Sequence, residues 1–204
     1  MWKINHHCDH AKDSVFHILE DEIAKLPTNS NVLIVGDFNA HIGNASGVNM
    51  QIFGNEGEFS EIMPEEIPDG KFLMQEIDKY GSIERSSMDR RDIDTYGHDL
   101  LEMCKTTELV ILNGRVGSDE GIGQYTCTRP NGRTVVDYMM CSPELLKYVT
   151  DFRVLSKVPE SDHHMLRAAI QCQRKINVGA CGDDNKWTQS RCLIQYHKRI
   201  ETRS

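Results

Sequence analysis

The residue that most restricts how this chain can fold is Asp137, a carboxylate set in the run Val135-Val136-Asp137-Tyr138-Met139-Met140. Such a run favours a strand, and a carboxylate inside one is costly unless it is hydrogen-bonded or paired. Two placements meet that condition: an edge strand with Asp137 facing water, or an interior strand to which another segment brings a partner. A second β-rich stretch, Gln124 to Thr128, precedes the run, and Pro130-Asn131-Gly132 joins it to Thr134–Met140. Asn-Gly between two such stretches is a hairpin signal, so an antiparallel pair is expected here.

The flanking sequence alternates helix and strand patterns. Val15, Phe16, Leu19, Ile23 and Leu26 recur at helical spacing from Asp13 to Leu26, with Asp13 or Ser14 as cap and Pro27 as stop. Val32–Val35 reads as a strand buried on both faces, ending at Gly36-Asp37-Phe38-Asn39. From Gly43 to Pro68 the composition is that of a long surface excursion. A helix over Gly97–Thr107 carries Leu100, Leu101 and Cys104 inward, and a strand follows at Leu109–Leu112. Ser142-Pro143-Glu144 opens a short helix, with serine as cap and proline at the first helical position. Strands at Asp151–Leu155 and Met165–Cys172 flank a loop carrying Ser161-Asp162-His163-His164, and after Lys175 the signals fade into a poorly ordered tail. The pattern as a whole predicts an α/β layered domain with a mixed sheet.

Length and charge narrow the class. A chain of 204 residues suits one domain. With 31 acidic residues against 23 basic ones, net −8, the balance argues against a whole-surface electrostatic grip on nucleic acid, so any such contact is expected to be local. There is no stretch of roughly 18 to 20 unbroken apolar residues, and Met1–His10 lacks the apolar core of a signal peptide. An intracellular protein, in nucleus or cytoplasm and without membrane contact, is expected. The 7 cysteines contain no CxxC pair, so reduced thiols and no disulfide-linked partner are expected. His6, His7, Cys8, Asp9 and His10 are consecutive, which does not let them converge on one metal, and they read as a polar terminus.

Three places put chemically capable residues at strand ends or within apolar strand sequence: Asp37 with Asn39, Asp137, and Asp162 with His163. In extended chain Asp37 and Asn39 would share one side, with Phe38 turned into the core. Singly, each has a structural reading as a turn former, an edge-strand acid or a solvated loop. Jointly, three carboxylates, an amide and an imidazole are what metal-assisted phosphodiester hydrolysis requires: a group for the divalent cation, one to activate or orient water, and a donor for the phosphate oxygens. Magnesium, or manganese in its place, is the natural ion for oxygen ligands.

The order and wording of these motifs resemble a known family. GDFNAHIGN at Gly36–Asn44, VVDYMM at Val135–Met140 and SDHHML at Ser161–Leu166 are similar to the endonuclease/exonuclease/phosphatase family, the magnesium-dependent fold of apurinic endonucleases, DNase I, inositol polyphosphate phosphatases and sphingomyelinases. The stretch between them, with RSSMD at Arg85–Asp89 and YGHDLLEMCKTTELVILNGR at Tyr96–Arg115, looks like the endonuclease module of LINE-type non-LTR retrotransposons. The resemblance implies the C-terminal portion of a four-layer α/β/β/α sandwich with mixed, largely antiparallel sheets. It also implies magnesium-dependent cleavage of DNA, with Asp37, Asn39 and Asp162 at the metal. Asp37 would activate or orient water, Asn39 would hold phosphate and nucleophile, and Asp137 would buttress His163. His163 would stabilise phosphorus oxygens, and Asp162 would serve near the metal and leaving group. Arg85, Arg115, Arg129 and Arg133 are further phosphate contacts in principle, and solvated arginines by default.

The likeness starts at the helix before GDFN, so the expected division is an irregular terminus over 1–10, a partial domain over 11–173 and a linker or tail over 174–204. The family's N-terminal half, with a metal-binding glutamate, has no counterpart here. The sequence from Trp187, WTQSRCLIQYHKRIETRS, is similar to the segment after the nuclease in such retroelements. Two further readings stay open: a catalytically inactive remnant or interaction module, and a phosphatase or sphingomyelinase-like hydrolase, which the middle stretch favours less.

Overall fold

A computed structural model describes residues 14–28, 30–48, 79, 84–175 and 187–196, with side-chain surroundings assigned only through residue 171 in the last two strands. The fold is mixed α/β, built of helices and antiparallel sheets. Helix α1 is Val15–Ala24, capped by Ser14, whose Oγ accepts from Phe16 N at 3.4 Å. Strand β1 follows at Leu33–Asp37, helix α2 at Thr95–Thr107, and the two-residue strand β2 at Val110–Ile111. Strands β3 (Cys127–Arg129) and β4 (Gly132–Thr134) form the hairpin, and β5 is Asp137–Cys141. Helix α3 (Pro143–Leu146) leads to β6 (Val149–Leu155), β7 (Met165–Lys175) and β8 (Trp187–Tyr196).

Three sheets result, ordered β1-β5-β2, β3-β4 and β6-β7-β8, and every pairing among the described residues is antiparallel. The central strand of the first sheet is β5, buried along its whole length. Its side chains alternate between two cores, as the two-residue period of a strand requires. Met139 and Cys141 join Phe152, Leu166, Ala168 and Ile170 of the β6-β7 pair, while Tyr138 and Met140 join Phe16 of α1 and Leu100, Met103 and Cys104 of α2. Helices therefore cover one face of the first sheet, and the third sheet covers the other. Asp137 has the parity of Met139, so it lies on the face between the sheets.

Several expectations need correction. The strand expected over Val32–Val35 is not buried on both faces: β1 is half-buried throughout because it is an edge strand paired with β5 alone. The run Thr134–Met140 is not one strand: it breaks at Val135-Val136, and β4 and β5 belong to different sheets. Side chains take over the amides at the break. Asp89 Oδ2 accepts from Val135 N at 3.0 Å, and Thr126 Oγ1 accepts from both Val136 N and Asp137 N, each at 3.0 Å. The hairpin closes through Pro130-Asn131, with Gly132 already paired to Arg129. Ser142 precedes α3 without a side-chain cap; its Oγ accepts from Val32 N at 3.1 Å and anchors the start of β1 instead.

At the other end, the expected tail contains β8, which pairs with β7 from Leu166↔Tyr196 to Lys175↔Trp187. Of the excursion from Gly43, only residues up to 48 are described, and they are tethered. Arg85 Nε donates to Ala45 O at 2.9 Å and its Nη2 to Gly43 O, while Arg115 Nη2 donates to Ser46 O at 3.0 Å. Both arginines are buried, not solvated. Burial lowers the affinity of Arg115 for its proton, to a pKa of about 10. Residues 1–10, with the histidine cluster, lie outside the described residues. Cys104, Cys127 and Cys141 are free and buried, and no helix among the described residues is long and apolar enough to cross a membrane.

Candidate active site

The site forms where β1 and β5 end side by side. Their register pairs Asp37 with Asp137 directly across the ladder, and in β1 Leu33 and Val35, which share parity with Asp37, pack toward the core between the sheets. Both carboxylates therefore emerge on the same face of one sheet edge. The loop entering β7 supplies the third member from the opposing sheet. Thr128 N donates to Asp162 O at 2.9 Å and His164 N to Thr126 O at 2.7 Å, so Cys127 and His163 form a bridge that fixes the loop to β3. His163 N also donates to Ser161 Oγ at 3.0 Å.

Asp37, Asp137 and His163 consequently place one oxygen or nitrogen each within 4.8 Å of one another. His163 Nδ1 lies 2.8 Å from Asp137 Oδ2, both side chains being buried. Of the two placements open to Asp137, the structure adopts the interior one with a partner. Burial pushes the Asp137 carboxyl above its ordinary range, and the hydrogen bond from His163 pulls it back in part. Asp137 Oδ1 is buried and has no hydrogen-bond partner.

Asn39 departs from the extended geometry expected of it. Its φ of 50° is left-handed, a conformation that asparagine tolerates better than most residues. Its N–H donates to Asp37 Oδ1 at 3.0 Å. The chain thus turns immediately after Asp37, Phe38 packs toward the helix-side core, and Asn39 is exposed beside the carboxylate it bonds. Asp162 is not drawn into the cluster: its Oδ2 lies 3.6 Å from Arg129 Nε and its Oδ1 4.0 Å from Lys157 Nζ. His164 is structural, with Nδ1 3.0 Å from Leu155 O and Nε2 3.1 Å from Thr128 Oγ1.

Other participants carry no signal of their own in the sequence. Thr126 positions Asp137 through its amide. Asn113 does the same from the neighbouring chain beyond β2, donating from Nδ2 to Asp137 O at 3.1 Å and accepting from Met139 N at 3.0 Å. Asp89 and His41 form a second acid–imidazole pair, His41 Nδ1 lying 3.1 Å from Asp89 Oδ2. Their presence in or beside the motif stretches is all that points to them. Their partners lie from 10 to 48 positions away, beyond any local pattern.

The donor set suits a hard divalent cation: two carboxylates on one edge, one of them with a buried oxygen lacking any donor. In comparisons with known proteins, no family model, no curated protein and no solved structure matches the chain.

Proposed function

We propose that this chain is a magnesium-dependent phosphodiesterase acting on DNA, with the C-terminal portion of a four-layer α/β/β/α sandwich and an endonuclease site of the LINE-type retrotransposon kind. The observation that carries the reading is the convergence of Asp37, Asp137 and His163 within 4.8 Å. Asp37 orients or deprotonates the attacking water, its carboxylate steadied by the Asn39 N–H. Asn39, exposed at the turn, offers its amide to the phosphate. Asp137 holds the His163 imidazole through Nδ1, and the doubly protonated ring donates its Nε2 proton to the phosphorus oxygens as negative charge grows there. The bond from phosphorus to the leaving ester oxygen then breaks.

Asp37 and Asn39 would hold magnesium, or manganese in its place, beside the Asp137 carboxylate of the same edge, and Asp162 would join them only by releasing Arg129 and Lys157. The ion supplies Lewis-acid stabilisation of the developing charge. The test is relaxation of supercoiled plasmid in magnesium by the full chain. Nicking is expected, with losses of about a hundredfold or more in Asp137→Asn and His163→Ala, and circular dichroism reports whether each variant keeps its fold. Nicking that is absent, or unchanged in folded variants, overturns the reading.

A further inference from the structure

Beside the carboxylate edge lies a cavity of about 190 Å³, roomier than a single water requires. It adjoins the candidate site along the chain: Asn39 lines it, Val136 precedes Asp137, and Cys127 bridges to His163. No carboxylate lines it. Its polar wall consists of Arg91, Arg129, His41, Asn39, Asn131 and Thr134, a donor-rich lining on a chain of net charge −8. Apart from Asn39, which also borders the carboxylate edge, such a lining favours an anion over a metal ion.

One guanidinium there is held in place by a relay. Asp89, buried, accepts from Arg91 N at 3.2 Å and from Val135 N at 3.0 Å, and it faces His41 Nδ1 at 3.1 Å. With the Nδ1 proton on the carboxylate side, the lone pair of His41 Nε2 accepts from Arg91 Nη1, 3.4 Å away. Arg91 also lies across Gly132 of the hairpin, where a Cβ would come within 3.4 Å of its Nη2. Its Nε is 3.9 Å from Asp89 Oδ1, so the carboxylate orients the guanidinium without a close fork that would consume its donors. Arg129 enters from β3, steadied by Asp162.

We propose that this cavity is a phosphate subsite in which Arg91 and Arg129 bind a backbone phosphate of the nucleic acid next to the scissile one, with Asp89 and His41 as positioning residues for Arg91. The identity of the ligand rests on the phosphodiesterase reading; the anion preference does not. Binding of a fluorescein-labelled DNA duplex by the full chain, measured by anisotropy in EDTA over a salt series, tests it without metal or chemistry. Arg91→Ala and Arg129→Ala are each expected to weaken binding about tenfold and to lower the slope of log affinity against log salt by about one. His41→Phe should match Arg91→Ala, and the double variant should bind no more weakly than Arg91→Ala alone, a non-additivity that general loosening of the fold would not produce.

A second arm titrates inorganic phosphate and follows the Arg Nε–H resonances. Shifts that disappear in Arg91→Ala support the subsite. Duplex affinity and slope unchanged in both arginine variants overturn it, as does a wild-type chain that does not bind duplex. A phosphate response with an indifferent duplex also overturns the backbone assignment, since the cavity would then take free anions only. A chain that fails to nick plasmid yet shows the expected binding changes overturns the reaction alone.

Discussion

At the scale of single residues, Asp137 carries the tension of the site. A buried carboxylate with one oxygen bonded to His163 and the other without a partner stores unfavourable desolvation. Its raised pKa has a sign that can be followed. The folded state prefers the protonated form more than the unfolded chain does, so this contribution to stability is complete at low pH and is lost as pH rises through the elevated folded value. Asp137→Asn removes that loss and keeps an acceptor for His163 Nδ1. At neutral pH its Tm should equal or exceed that of the wild type while plasmid nicking falls. A variant of markedly lower Tm would show that the ionised form is the stabilising one.

Elements come next in scale, and here the break between β4 and β5 decides where Asp137 points. Thr126 Oγ1 accepts the two amides released by that break. Thr126→Val keeps shape and volume but leaves both buried amides without an acceptor, at an expected cost of about 2 to 4 kcal/mol in chemical denaturation. A cost within about 0.5 kcal/mol would mean that other acceptors replace it. A second element-level contact joins the 3-10 turn Gly117–Asp119 to β6: Asp151 Oδ1 accepts from Ser118 N at 3.0 Å and from Ser118 Oγ at 2.8 Å. Burial raises the Asp151 carboxyl, but these bonds and Arg153 outweigh it and leave the pKa lowered. The stability it adds is therefore present above the ordinary carboxylate range and lost as pH falls through the lowered value. Asp151→Asn should flatten the acid limb of the stability curve, which a urea series at stepped pH would read.

The break also shows what the sequence could and could not disclose. Spacing of apolar residues marks α1 and α2, and Asn-Gly marks the hairpin, because those signals are local. Val135-Val136 reads as uninterrupted strand, since the acceptors that end the ladder there sit on Asp89 and Thr126. The motif residues at the site are legible as types. The left-handed turn at Asn39, the ion pairing of Asp162 and the relay through His41 are not, because each depends on a residue brought near by the completed fold. Ser142 departs from its expected capping role for the same reason: its hydroxyl serves β1, 110 positions away, and not its own helix.

For the whole molecule, the strand order leaves β7 between β6 and β8. Truncation after residue 175 would remove β8 and leave β7 as an edge with a row of unpaired backbone groups. The shortened chain should elute as larger species in size-exclusion chromatography, in a concentration-dependent manner, where the full chain does not. Equal elution of the two would show that β8 is dispensable for covering that edge. Position 37 meets position 137, and position 137 meets position 163, with no local substructure that contains all three. During synthesis, therefore, a growing chain carries no assembled centre until its second half has emerged and closed onto the first. Under the proposed activity, a ribosome-bound intermediate is harmless to nearby nucleic acid, and the hydrolytic capacity arrives late and all at once.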